Sequence, residues 1–291
     1  MRLYDFHAHS TFSDGTDTPA ELVRQARKAG VRALALTDHD NTGGAASFLE
    51  ACRHERITGI VGVEISVQVP AGTLHMLGFG VDPHHAALNE ALSRVLDGRD
   101  WRNRRILERL NALGLALSWE EIAVHAGEDV VGRPHFAAAM LARGHVSTRQ
   151  QAFDDYLAKG AAAYVDRFRI EPLEGIRLIL AAGGAPVLAH PFTWQPEISS
   201  LAAQLAVLKS GGLVGIEAYY PEHTPQMTVD YLRLAMRLDL LVTGGSDYHG
   251  STRPEVKLGR GTGSLAVPES VLPPLLAAIR TPASIHEEAA T

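Results

Sequence analysis

The sequence predicts an α/β protein in which strands and helices alternate around a parallel sheet or barrel, with a helical block set into it. Two observations lead there. Short apolar, β-branched runs at 2–7, 32–37, 57–69, 185–189, 212–219 and 240–244 are spaced by helical stretches, the pattern of parallel strands joined by crossover helices. Between 84 and 165 that alternation stops, and helical signals follow one another without a strand of any length.

The elements can be justified in order. After the first strand, Thr18 suits a helix N-cap, Pro19 the first helical position and Gly30 the C-terminal stop. Strand 32–37 and a helix over 43–56 follow. The β-branched run 57–69, a turn at Gly72 and the run 73–81 read as a hairpin. The helical block offers segments at 85–113, 118–126, 134–143 and 147–159. Alternation then resumes with helices at 172–182, 198–210, 224–238 and 268–280 set among the last three strands. Three segments result: 1–83 and 166–291 form the sheet, and 84–165 is the insertion.

Composition narrows the class. With 27 basic and 33 acidic side chains in 291 residues, the net charge is -6. A chain of that sign carries no global field for wrapping a nucleic-acid backbone, although a local basic pocket remains compatible with it. Cys52 is the only cysteine, which excludes an intramolecular disulfide and a thiolate metal site. No run approaches the ~18 to 20 apolar residues of a membrane span, and Asp5 and His7 turn the N-terminus polar too soon for a signal peptide. A cytoplasmic protein with no membrane contact and no obligate protein partner is expected.

Histidine is the unusual residue, with 14 copies, several of them in short apolar runs. Each expected strand ends in metal-ligand residue types. The first ends in His7 and His9 with Asp14 just beyond, and the second in Asp38-His39-Asp40. The hairpin carries Glu64 and His75. Later strands end in His190, in Glu217, and in Asp247 and His249. Strand ends are the functional rim of α/β barrels, so these side chains should converge. Residues two apart on a strand share a face, so His7 and His9 can reach one ion together. Imidazole and carboxylate without sulfur suit Zn, Mn or Fe. A lone histidine at a strand end is usually a hydrogen-bonded structural residue, but six histidines and three carboxylates at successive ends are not explained that way.

The motifs H-x-H-S-x-x-S-D-G at 7–15, T-D-H-D at 37–40, G-x-E at 62–64, H-x-L-G at 75–78, A-H-P at 189–191 and G-S-D-Y-H at 245–249 resemble the ordered motifs of the PHP (polymerase and histidinol phosphatase) family. The resemblance covers 1–82 and 165–265. It implies a distorted (β/α)7 TIM-like barrel, here with a helical insertion domain, and two or three divalent metal ions, Mn²⁺ foremost with Zn²⁺ or Fe²⁺ as alternatives. One implied site uses His7, His9, Glu64 and Asp247. Glu64 bridges to a second, held by His75 and His190, and the third uses Asp14, His39 and His249. Asp14 and His39 would also face substrate.

Within the insertion, Trp101-Arg102-Asn103-Arg104-Arg105 and Gly132-Arg133-Pro134-His135-Phe136 resemble the stand-alone members that hydrolyse nucleoside 3',5'-bisphosphates, some of whose relatives trim 5'-phosphorylated RNA. Arg102, Asn103, Arg104, Arg105, Arg133 and His135 become the candidate substrate contacts. Guanidinium forks match a second phosphate, although an arginine-rich helix is more often a solvated face.

Phosphate monoester hydrolysis needs up to ~10²¹-fold acceleration, which metal-activated hydroxide and charge neutralisation can supply. Glu64, Asp247 and His249 are the candidate catalytic residues. No general acid is assigned, although His223 is available. The expected partner is a nucleotide bisphosphate. The rival readings are a 5'-3' exonuclease on short RNA ends, a histidinol-phosphate phosphatase, and a non-catalytic metal-binding module.

Overall fold

A computed structural model describes residues 2–126, 131–195 and 197–288. They divide into two compact units, one made of 1–93 with 170–291 and the other of Arg94–Arg169.

The first unit is built on a mixed sheet. Strands β1 (Leu3–Asp5), β2 (Val31–Leu36), β3 (Thr58–Val67), β4 (Leu74–Phe79), β5 (Ala185–Leu188), β6 (Gly215–Tyr219) and β7 (Leu241–Gly244) lie side by side in chain order. β1, β2 and β3 are parallel, as are β5, β6 and β7. β4 runs antiparallel to both its neighbours, as the hairpin around Gly72 (φ +74°) requires. All ten residues of β3 are buried, which explains why it reads as one unbroken apolar run. A two-residue strand, β8 (Ile285–His286), adds antiparallel to β3. Beyond the ends of the sheet path, Phe6 N–H donates to Gly244 O (3.1 Å), Asp247 N–H to His7 O (2.9 Å) and His9 N–H to Tyr248 O (2.9 Å).

Helices α1 (Pro19–Ala29), α2 (Ala45–Glu55), α7 (Pro172–Ala181), α8 (Ile198–Ser210) and α9 (Pro225–Arg237) connect the strands. α1 shows why the sequence folds locally as it does. Thr18 and Glu21 form a reciprocal capping box, and Gly30 closes the helix in the left-handed region (φ 87°). The expected last helix is shorter. Residues 269–271 form a single 3₁₀ turn before α10 (Leu272–Ala278), because Pro273 and Pro274 lack the N–H groups a continuous α-helix would use. Side chains such as Tyr4, Phe6, Ile60, Phe79, Val187 and Leu275 make a shared core.

The second unit is helical. The division falls within α3 (Ala86–Ala112), and α4 (Trp119–Ala126), α5 (Arg133–Ala142) and α6 (Arg149–Ala152) follow. Where one helix over 147–159 is expected, α6 passes after one turn into a wider π-type turn, Phe153–Leu157. Ile106, Leu110, Phe136, Met140 and Leu157 fill this unit's own core. Among the described residues, no helix is long and apolar enough to cross a membrane.

Candidate metal centre

The strand exits of the first unit bring nine side chains together, and Glu64 on β3 is their hub. Its Oε2 lies 3.2 Å from His7 Nε2, 3.3 Å from His9 Nε2 and 3.1 Å from His39 Nδ1. Its Oε1 lies 2.9 Å from both His75 Nδ1 and His190 Nε2. Asp247 Oδ1 sits 3.4 Å from His7 Nε2 and 3.1 Å from His9 Nε2. Asp14 reaches His249 Nε2 at 3.2 Å and His39 Nε2 at 3.7 Å.

Three groups have ligand atoms all within 4.8 Å of one another: His7, His9, Glu64 and Asp247; His9, Asp14, His39 and His249; and His39, Glu64 and His75. The first is the set the motifs imply. The second gains His9. In the third, His39 stands with Glu64 and His75, while His190 reaches the cluster through Glu64 Oε1.

The donor set fits divalent cations. His7 Nε2, His9 Nε2, Asp14 Oδ1, His39 Nδ1, Glu64 Oε2 and His75 Nδ1 are buried without a hydrogen-bond partner. Buried polar atoms are seldom left so, and cations at these three groups would satisfy all six between them. The ring orientations agree. His7 Nδ1 lies 3.0 Å from Glu217 Oε1, and His249 Nδ1 lies 2.8 Å from the Asp247 carbonyl oxygen. Both oxygens only accept, so each Nδ1 carries the proton and each Nε2 lone pair faces the cluster, as metal-bound histidines require.

Electrostatics hold the cluster together without an ion. Burial pulls the basicity of His7 down, but Glu217, Glu64 and Asp247 raise it well above the ordinary histidine value. Burial likewise opposes His9, which Asp247 and Glu64 lift to about 10. At His39 burial prevails and the value falls to about 3. Burial would raise Glu64 and Asp247, yet neighbouring imidazoles hold both well below the carboxylate range. A cation entering this cluster therefore displaces protons.

The backbone is shaped for close approach. A Cβ on Gly245 would lie 2.3 Å from His7 N, and one on Gly15 would lie 2.5 Å from the carbonyl oxygen of His9. His190 (φ 20°) and Asp247 (φ 53°) occupy the left-handed region, a strain typical of functional positions.

Three participants were not legible as such. Glu217 stands at a strand end, but its role of orienting His7 and accepting the His190 N–H (2.8 Å) shows only in three dimensions. Tyr220 and Arg253 belong to no motif, yet both donate to Asp247 Oδ2, at 2.8 and 3.0 Å. His223 donates from Nδ1 to Ala218 O (2.9 Å), and burial lowers its basicity. In that form its Nε2 carries no proton to give.

The remaining candidates lie in the second unit. Arg102 is buried and donates from Nε and Nη2 to Asn103 Oδ1 (3.2 and 2.8 Å), while Asn103 Nδ2 donates to Val131 O (2.7 Å). Arg133 donates to Leu157 O (3.2 Å) and lies over the Tyr164 ring. His135 Nδ1 accepts from Gly132 N–H (3.0 Å). Arg104 is exposed, and Arg105 pairs with Glu108. Burial, followed by the nearby charges of Arg99, Arg133 and Arg169, pushes Arg102 down to about 9.

Known proteins resemble this chain over most of its length. The PHP domain family model matches residues 5–171. The 3',5'-nucleoside bisphosphate phosphatase of Chromobacterium violaceum is 32% identical over 250 residues, 86% of this chain and 88% of that protein. The 5'-3' exoribonuclease Rnm of Salmonella typhimurium is 32% identical over 260 residues, 89% of this chain and 88% of that protein. A solved structure described as a metal-dependent phosphoesterase from Bifidobacterium adolescentis superposes with a TM-score of 0.78 at 31% identity, covering 94% of this chain and 96% of that one. The chain belongs to the PHP family and is one of its metal-dependent phosphoesterases.

Proposed function

We propose that the chain removes the 3'-phosphate from nucleoside 3',5'-bisphosphates, using two to three divalent ions, Mn²⁺ first among them, held by His7, His9, Asp14, His39, Glu64, His75, His190, Asp247 and His249. The observation that carries the reading is the division of Glu64, whose two oxygens face different sets of imidazoles. A carboxylate so placed can join two ions beside one phosphoryl group. Bound divalent ions supply an acidified water and charge neutralisation at the transferring phosphoryl. The chain's own part is to fix the ions through Glu64, Asp247 and His249, presented by a sheet whose first and last strands are tied by backbone hydrogen bonds just past their ends. Glu217 keeps the His7 proton on Nδ1.

The choice of a doubly phosphorylated substrate rests on the second unit. Residues 94–169 carry twelve basic and ten acidic side chains, whereas the rest of the chain carries fifteen and twenty-three. The crowding around Arg102 is relieved by an anion, and guanidinium forks suit phosphate. Arg102 and Arg133 are the leading contacts, with Asn103, Arg104, Arg105 and His135 beside them. The Salmonella relative, equal in identity, favours a second reading, 5'-3' trimming of short 5'-phosphorylated RNA.

The test is a substrate panel with added Mn²⁺: adenosine 3',5'-bisphosphate, histidinol phosphate, p-nitrophenyl phosphate and a short 5'-phosphorylated RNA. Release of only the 3'-phosphate from the bisphosphate supports the first reading, and mononucleotide release from RNA the second. Preference for histidinol phosphate contradicts both.

A further inference from the structure

Three buried carboxylates stand beside the cluster but belong to none of its ligand groups. Asp5, at the end of β1, accepts from the backbone N–H and the hydroxyl of Ser246 (2.8 and 2.6 Å) and from Gly259 N–H (2.7 Å). Asp38, just past β2, accepts from the N–H and the hydroxyl of Ser10 (both 2.7 Å) and from the Ser13 hydroxyl (2.7 Å). Asp40 accepts from the N–H and the hydroxyl of Ser66 (both 2.8 Å). The three carboxylates and all four serines are buried.

The arrangement repeats. Each time, a carboxylate at the exit of one strand grips a serine on a neighbouring strand or its exit: β1 to β7, β2 to β1, and β2 to β3. Each gripped serine lies within two residues of a cluster residue. Ser246 precedes Asp247, Ser10 follows His9, Ser13 precedes Asp14, and Ser66 lies two residues beyond Glu64. Burying a carboxylate is costly unless its oxygens are well met by donors, and a fold needing only support would be served by apolar side chains there. The two-point grip, hydroxyl plus N–H, fixes both the position and the twist of the backbone that presents the ligand.

We propose that Asp5, Asp38 and Asp40 are positioning residues of the metal centre, setting ion affinity by clamping the segments that present Asp247, Asp14 and Glu64. The proposal rests on reading the nine clustered side chains as ligands. It ranks the clamps: through Ser10 and Ser13, Asp38 bears on His9 and Asp14 and so most on the group of His9, Asp14, His39 and His249, which alone holds both, whereas Asp5 bears through Ser246 on the group containing Asp247.

The experiment is Mn²⁺ binding to the full chain by equilibrium dialysis with metal analysis, for wild type, Asp38→Asn, Ser13→Ala and the double variant. Melting temperature in chelator is recorded alongside. Asp38→Asn is expected to weaken one ion of the complement most, by roughly 10- to 100-fold, as loss of a partner behind a ligand does, with a smaller loss at the ion that shares His9 and none at a remaining one. Ser13→Ala, which keeps the carboxylate and serves if Asp38→Asn does not fold, should weaken the same ion. The double variant should lose less than the two single losses combined. Uniform weakening of every ion, in step with a lower melting temperature in chelator, would overturn the proposal. So would unchanged binding in both single variants while wild type binds normally. A wild type that binds no Mn²⁺ would overturn the ligand reading itself, and the clamps with it.

Discussion

Tyr220 donates its hydroxyl hydrogen bond to Asp247 Oδ2 at 2.8 Å, so the two oxygens of this carboxylate have separate tasks. Oδ2 also takes Arg253 Nη1 (3.0 Å), and Oδ1 alone faces His7 and His9. Tyr220→Phe removes one donor to a charged group, worth about 1.5–3 kcal/mol. We expect kcat/KM to fall about tenfold or more and to recover partly at high Mn²⁺. A variant with unchanged kinetics at limiting Mn²⁺ would show that the hydroxyl does not hold Asp247.

Glu64→Gln keeps the size of the side chain but replaces one shared oxygen with an amide nitrogen. Turnover should be abolished while the circular dichroism spectrum stays that of wild type. Retention of about a tenth of the activity would defeat the bridging role, which supplies the charge neutralisation the reaction requires.

The cluster predicts different pH trends with and without metal. In metal-free protein His9 is raised to about 10, above its ordinary value of 6.5. Its contribution to stability is therefore complete below pH 6.5 and lost as pH rises through 10. His39, lowered to about 3, is neutral in the fold, and its unfolded form is mostly deprotonated above pH 7, so it contributes little between pH 7 and 10. The melting temperature in chelator should decline from pH 7 to 10. Saturating Mn²⁺ should flatten that decline, because ions need the unprotonated imidazoles that higher pH provides. A flat chelator profile would mean that His9 is not charged in the metal-free fold.

Gly245→Ala places a methyl group 2.3 Å from His7 N. The strand end must move, at a cost of about 1–3 kcal/mol, and His7 moves with it. Urea denaturation should show the loss, and Mn²⁺ binding should weaken in the same variant. Full stability would show that the backbone there yields more easily than the packing suggests.

Arg133→Ala tests the second phosphate. KM for adenosine 3',5'-bisphosphate should rise at least tenfold while kinetics on p-nitrophenyl phosphate stay near wild type. Equal losses on both substrates would place Arg133 in the framework of its unit, where it already bonds Leu157 and covers Tyr164.

The candidate ligands were legible because most stand in or at the end of an apolar run whose surroundings disfavour such a residue. The paired spacing of His7 and His9 even gave their common face. The same spacing hid the clamps. Asp38, His39 and Asp40 look alike as polar residues past a strand end, and the left-handed turn at Asp40 (φ 51°) that aims them apart has no mark in T-D-H-D. Glu217 had no such mark, since its partner His7 lies 210 residues away in sequence. β8 was invisible for another reason: two residues are too few to show a period, and its pairing to β3 is decided by packing.

The order of the ligands along the chain has a consequence for how the centre is made. His39, Glu64 and His75 form a group contained in the first 75 residues, whereas the other two groups wait for Asp247 or His249. Between those instalments the ribosome must deliver a whole helical unit, Arg94–Arg169. A nascent chain thus carries six of its nine candidate ligands well before the last three exist, and the group of His39, Glu64 and His75 is complete in sequence long before either of the others.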